Sequence, residues 1–213
     1  MTFRAPVSLL DQLLGAADEA LRTLSGAVTA ARPLPATDRA VPSSDADRRA
    51  SAGLMRVNHT GEICAQALYS GQALFAREAR VRDALQAAAA EERDHLAWCR
   101  TRLADLGSRP SLLDPLFYAG SFAWGVASGL AGDRWSLGFL AETEAQVERH
   151  LEGHLGRLPG DDRGSREIVA RMRDDEARHG ATGRALGAAE LPYPVKRAMQ
   201  ATSKVMTRTA YWV

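Results

Sequence analysis

Glu92-Arg93-Asp94-His95 and Glu176-Ala177-Arg178-His179 are two copies of Glu-x-x-His in one chain of 213 residues. Each follows a lone glutamate, Glu62 or Glu144, by about thirty positions. With twelve Glu and five His in the chain, chance supplies roughly a third of one such match, so a single copy carries little weight. Two copies with matched glutamates describe an internal repeat of two helical hairpins. Residues three apart share a helix face, so the Glu and His of each copy can ligate one metal or two adjacent metals. One Glu from each of two helices plus Glu-x-x-His from each of two others is the ligand set of carboxylate-bridged dinuclear iron or manganese bundles.

The surrounding periodicity puts these residues in apolar seams. Leu85, Glu92, Cys99 and Leu106 recur at seven-residue steps, and Leu137, Leu140, Glu144, Val147, Leu151, Leu155 and Leu158 form one stripe. Val169, Met172, Glu176, His179 and Leu186 form another, and Met55, Glu62, Ala65 and Tyr69 a fourth. A buried unpaired carboxylate costs about several kcal/mol, on the scale of a domain's whole stability. Four together call for cations. Two divalent ions balance them, and one neutral His per ion completes a nitrogen and oxygen shell suited to iron or manganese.

Outward from this constellation the chain reads as all-α. Four long segments without interior proline, 50 to 78, 81 to 106, 134 to 158 and 163 to 187, are predicted helices, with turns around Gly107 to Pro110 and at Pro159-Gly160. Asp114-Pro115 is a predicted N-cap and first turn for an uncharged segment over 115–132, and a last helix is predicted over 195–213 after Pro192 and Pro194. Residues 1–31 hold an amphipathic helix, from about residue 8, with Leu10, Leu13, Leu14, Ala17, Leu21, Leu24 and Val28 on its stripe. Residues 32–49, with Pro33, Pro35, Pro42 and Ser43-Ser44, read as a linker, which leaves 50–213 as the catalytic domain.

Bulk properties narrow the partners. At 46% hydrophobic and 25% charged, the chain is globular, and a net charge of +1 with interleaved signs offers no field for a nucleic-acid backbone. Cys64 and Cys99 lack Cys-x-x-Cys spacing and read as small buried hydrophobes. Arg4, Asp11 and Asp18 interrupt the early apolar stretch, which argues against a secretory signal and for a cytoplasmic setting.

Arg56-Val57-Asn58-His59-Thr60-Gly61-Glu62, then Glu92-Arg93-Asp94-His95, the stretch from Glu144 to His150 and Asp175-Glu176-Ala177-Arg178-His179 together resemble the demethoxyubiquinone hydroxylases of ubiquinone biosynthesis over about residues 50 to 213. The resemblance implies a ferritin-like di-iron fold; with the segments read above this makes a four-helix bundle with an extra apolar helix between its hairpins, an amphipathic C-terminal helix and, outside the resemblance, an N-terminal helical extension. It implies two iron ions per chain, with Glu62 and Glu144 as terminal ligands, Glu92 and Glu176 as bridges, and His95 and His179 as one imidazole per iron. Tyr69, His150 and His59 are the candidates for residues beside that site, and His154 receives no role. The implied reaction places one oxygen atom of O₂ on the ring of a polyprenylated methoxy-methyl-benzoquinone or quinol and releases the other as water. Two electrons must come from an external reductant, NADH or quinol, since no Gly-x-Gly-x-x-Gly follows a strand. A homo-oligomer or a protein partner from ubiquinone biosynthesis is compatible with this reading. A ferritin-like iron-oxidising or storage protein shares the ligands and is the alternative.

A substrate with a polyprenyl tail resides in lipid, so peripheral attachment to the cytoplasmic face of the inner membrane is expected. Phe117, Phe122, Trp124, Val126 and Leu130 are the expected surface for membrane and tail, on a segment too short and too rich in Gly and Ser to span. Val195 to Val213, with Lys196, Arg197, Lys204 and Arg208 and no acid after Glu190, has the pattern of a basic helix at an anionic surface.

Overall fold

The structure, a computed structural model, describes residues 9–213, with the side chains of Leu9, Gln12 and Leu13 outside that description. Leu13 of the expected stripe, the expected start near residue 8 and Arg4 of the signal-peptide argument therefore lie outside the described residues. Among those described there are helices and no strand: α1 (Leu9–Ser25), α2 (Asp45–Phe75), α3 (Ala79–Asp105), α4 (Asp114–Leu130), α5 (Asp133–Arg157), α6 (Arg163–Ala185) and α7 (Tyr193–Ala210). The hairpins α2/α3 and α5/α6 form the bundle, α4 lies along α2, and α7 leans on α2 and α5.

Three boundaries moved for identifiable reasons. Ser44, read as linker, caps α2 by accepting the Asp47 N–H at 3.1 Å, which brings the helix start forward to Asp45. α1 stops at Ser25 because Gly26 takes a left-handed φ of 73°. Asp114 is not the N-cap of α4. Leu113 holds that place, and the Asp114 carboxylate accepts the Thr60 hydroxyl at 2.7 Å, tying α4 to α2.

The linker expected over 32–49 is instead a strap over 26–44 followed by the first turn of α2. Arg102 is buried, ion-paired to Asp162 at 2.7 Å, and donates to the carbonyls of Arg39 at 3.1 Å and Ala40 at 2.9 Å. The Thr37 N–H donates to Glu167 at 2.8 Å, and Leu34 and Ala36 pack on the core around Leu103, Ile168 and Met172. The chain passes so close to α6 that a Cβ on Gly164 would stand 2.6 Å from the Asp38 carbonyl.

The small residues of α4 let its backbone lie against α2. A Cβ on Gly71 would stand 2.6 Å from the Phe122 carbonyl, and one on Gly125 would collide with the Leu68 carbonyl. No described helix is long and apolar enough to cross a membrane.

Candidate metal centre and adjoining cavity

The heptad-spaced seams bring Glu62 of α2, Glu92 and His95 of α3, Glu144 of α5, and Glu176 and His179 of α6 to one place, all buried. Their ligand atoms fall into two overlapping groups, Glu62, Glu92, His95 and Glu176, and Glu92, Glu144, Glu176 and His179, each within 4.8 Å. Glu92 and Glu176 belong to both. The Nδ1 of His95 lies 2.9 Å from Glu92 Oε2 and 3.4 Å from Glu176 Oε1, while the Nδ1 of His179 lies 3.1 Å from Glu92 Oε1 and 3.4 Å from Glu176 Oε2. Each shared carboxylate thus turns one oxygen to each histidine, as a bridge between two ions requires.

The electrostatics match a site awaiting cations. Burial pushes the Glu62 carboxyl well above its ordinary range, with Glu92 adding to the rise, and burial together with Glu176 does the same for Glu144. Burial also acts on Glu92 and Glu176 and on both histidines, but their contacts with one another outweigh it. The two carboxylates stay low, His95 is raised, and His179 is pushed up to about 10. Glu62, Glu144 and both histidines are thus shifted toward holding protons, and divalent ions bound here would displace them. Glu144 Oε1 and His179 Nε2 are buried without a hydrogen-bond partner, and the 3.1 Å approach of His179 Nδ1 to Glu92 Oε1 lacks hydrogen-bond alignment, so the donor set fits two ions better than it fits itself.

Outer contacts also repeat. His95 Nε2 lies 3.0 Å from Asp175 Oδ2, and His179 Nε2 lies 3.6 Å from Glu91 Oε2. Each acid directly precedes the motif glutamate of the opposite hairpin. Neither was assigned a role from sequence, although an acid at the same place in both copies was available as a signal. Asp175 is held far below the usual carboxylate range: its burial opposes this, but His95, Arg178 and Arg32 prevail.

The candidates beside the centre divide. His59 turns away, placing Nδ1 at 3.2 Å from Asp114 Oδ2. Tyr69 is buried among Leu68, Leu85 and Leu137, its hydroxyl without a partner. His150 lines a cavity of about 230 Å³ that also has Glu62, Leu68, Phe117, Trp124 and Phe139 in its wall, and α7 closes it with Met199 and Met206. Its ring lies 4.0 Å from that of His154, which is buried rather than exposed. Burial, with Arg157 adding, takes His150 down to about 4, and burial, then His150, takes His154 to about 2, so both are neutral at pH 7.

Of the five residues expected at a tail-facing surface, Phe117 and Trp124 line the cavity, with Trp124 stacked 5.8 Å from Phe139. Phe122 does not. It packs toward α2 and α3 against Ile63, Ala67 and Leu96, because the glycines that seat α4 fix its rotation. Val126 abuts Gly71 through its backbone N and is half-buried, and Leu130 is exposed outside the cavity wall. Cys99 is buried in the core as expected, whereas Cys64 is only partly buried and lines the cavity beside Glu62; burial raises both thiols, Cys64 to about 12 and Cys99 well above its ordinary value.

The family model described as ubiquinone biosynthesis protein COQ7 matches residues 49–210. The chain belongs to the COQ7 family. A 3-demethoxyubiquinol 3-hydroxylase from Bordetella parapertussis is 60% identical over 206 residues, covering 96% of this chain and 93% of that protein. The protein of the same name from Ralstonia pickettii is 55% identical and covers 95% and 99%. Among solved structures, a dodecameric thioferritin from Bacteroides fragilis matches at a TM-score of 0.55 and 16% identity, over 87% of this COQ7-family chain and 98% of that one, and shows the ferritin-like fold.

Proposed function

We propose that this chain is a di-iron 3-demethoxyubiquinol 3-hydroxylase, with a polyprenylated quinol or quinone and dioxygen as substrates. The observation that carries the reading is the pair Glu92 and Glu176, each turned toward both histidines, beside an apolar cavity that reaches Glu62. Glu62 and Glu144 would be terminal ligands, Glu92 and Glu176 bridges, and Nδ1 of His95 and His179 the imidazole donors. Iron held there supplies dioxygen binding and the two-electron chemistry of hydroxylation. The reducing equivalents come from outside, from NADH or quinol, and reduction of the iron-loaded protein by each separates the two.

The chain's own residues orient the ring and exclude water. Phe117, Trp124 and Phe139 offer flat apolar walls, and His150 is the imidazole in the cavity wall beside which a quinol ring would lie. Leu116 and Trp124 are exposed on α4 beside Met199 and Met206 of α7, an exit for a polyprenyl tail. Arg197, Lys204 and Arg208 on α7 suit an anionic lipid surface, while Lys196 pairs with Glu142 and Glu190, so the protein docks peripherally on the cytoplasmic face of the inner membrane. Iron storage would leave this cavity without a use.

Anaerobic ferrous titration should saturate near two irons per chain, and a prenylated demethoxyquinol incubated with reductant and oxygen should gain one oxygen by mass spectrometry. Ferrous oxidation with mineral growth and no oxygenated product would restore the storage reading. Saturation near one iron would remove the dinuclear assignment. Flotation with anionic vesicles should weaken in salt, and full solubility would reject the membrane surface.

A further inference from the structure

Arg32 lies in the strap, ahead of residues 49–210 that the family model matches. Its Nη1 donates to Asp175 Oδ2 at 2.8 Å and to Glu91 Oε2 at 3.3 Å. Those are the oxygens that face the outer nitrogens of His95 and His179, at 3.0 and 3.6 Å. One guanidinium nitrogen therefore touches the backing carboxylate of both histidines. The rest of the side chain is held from several directions. Its Nε donates to Asp94 Oδ2 at 2.5 Å, its plane lies 4.9 Å from the centre of the Trp98 ring, and the Trp98 Nε1 donates to its carbonyl at 3.4 Å. The Ala31 N–H adds a bond to Asp94 Oδ1 at 2.6 Å.

We propose that Arg32 is a positioning residue for the metal centre and that the strap serves as its clasp. This rests on the di-iron reading above. A carboxylate that accepts from the outer N–H of a ligating histidine fixes the ring and raises its basicity, and losing such partners costs about 10- to 100-fold in metal affinity. Arg178 also reaches both acids, but it meets Asp175 through Oδ1, the oxygen turned away from His95, and it rides on α6 itself. Arg171 touches Asp175 from the same helix. Arg178 likewise spans Glu91 and Asp175, but Arg32 alone among these three comes from another segment and adds Asp94 to the link between α3 and α6, which helps fix the separation of the two histidines. A guanidinium holds donors on separate nitrogens in a rigid plane, as the Nε and Nη1 contacts of Arg32 use them, whereas an ammonium gathers its three donors on one nitrogen at the end of a flexible stem.

The test loads the full-length protein with Co²⁺, follows chelator extraction, and records the visible spectrum that reports coordination geometry. Arg32→Met should shed cobalt about 10-fold faster with an altered spectrum, the low end of the range because Arg178 and Arg171 remain. Arg32→Lys should fall between it and wild type, and it decides the matter if Arg32→Met does not fold. Arg39→Ala, which removes a strap arginine paired with Asp105 instead, should behave as wild type. Wild-type rates and spectra in both Arg32 variants would overturn the proposal, as would equal acceleration in Arg39→Ala, which would reduce the effect to strap docking. A wild-type protein that takes up no cobalt would overturn the metal reading itself.

Discussion

The hairpins α2/α3 and α5/α6 present nearly the same face inward and different faces outward. Inward, each supplies a lone glutamate and a Glu-x-x-His, and the distances from Nδ1 to the shared carboxylates agree to within a few tenths of an ångström. Outward, His95 is sealed and its backing Asp175 is fully buried, whereas His179 borders a small cleft of about 110 Å³ and its backing Glu91 is a third exposed. Glu62 lines the large cavity, and Glu144 is absent from its wall. A repeat accounts for two matched groups of candidate ligands. Access to them is set by what packs on each hairpin, and α4 covers only α2/α3 closely.

The largest effect expected from this comparison is on the shared ligands. Glu92→Ala or Glu176→Ala should abolish binding of both ions, because each bridge serves each ion, and metal analysis after desalting checks it. Retention of one ion in either variant would contradict the bridging geometry. Next in size is the asymmetry of the backing acids. Asp175→Asn should weaken metal binding by about 10- to 100-fold, while Glu91→Gln, at longer range and partly solvated, should change it only about threefold or less. Competition with a coloured chelator measures both, and equal effects would mean that the outward difference is without consequence.

The two aromatic residues of α4 should separate stability from substrate handling. Phe122→Ser removes a partly buried ring packed against Ile63, Ala67 and Leu96 and should cost about 2 kcal/mol in chemical denaturation. Trp124→Ser, at the cavity wall, should leave the denaturation midpoint nearly unchanged and raise KM for the tailed quinol. A smaller and smoother effect concerns pH. The raised His179 contributes stability that is complete below its ordinary value of 6.5 and is lost as pH climbs through about 10. The raised carboxyls Glu62 and Glu144 act with the same sign, so the metal-free protein should lose melting temperature on going from pH 6.5 to 9. Metal uptake releases protons, so affinity should rise over the same interval, and thermal melts with and without chelator would reveal a flat profile if the centre is not proton-loaded.

The convergence of the six candidate ligands and the all-α architecture were legible in the sequence because both depend on spacing along one helix. A glutamate three residues before a histidine, repeated in an apolar seam, has one inward arrangement on a 3.6-residue helix. Rotation and register between segments do not follow from such spacing. Nothing local shows that Gly71 and Gly125 lock α4 so that Phe122 turns inward and Trp124 toward the cavity, or that His59 meets Asp114. The strap was the hardest to read. Its proline-rich stretch has no periodicity, and its anchors are charged side chains about sixty or more residues away, among them Asp94, Arg102 and Asp175. Side-chain periodicity specifies which face a helix buries, but the partner that face meets, and the group that backs each ligand, come into being only when the separate segments pack together.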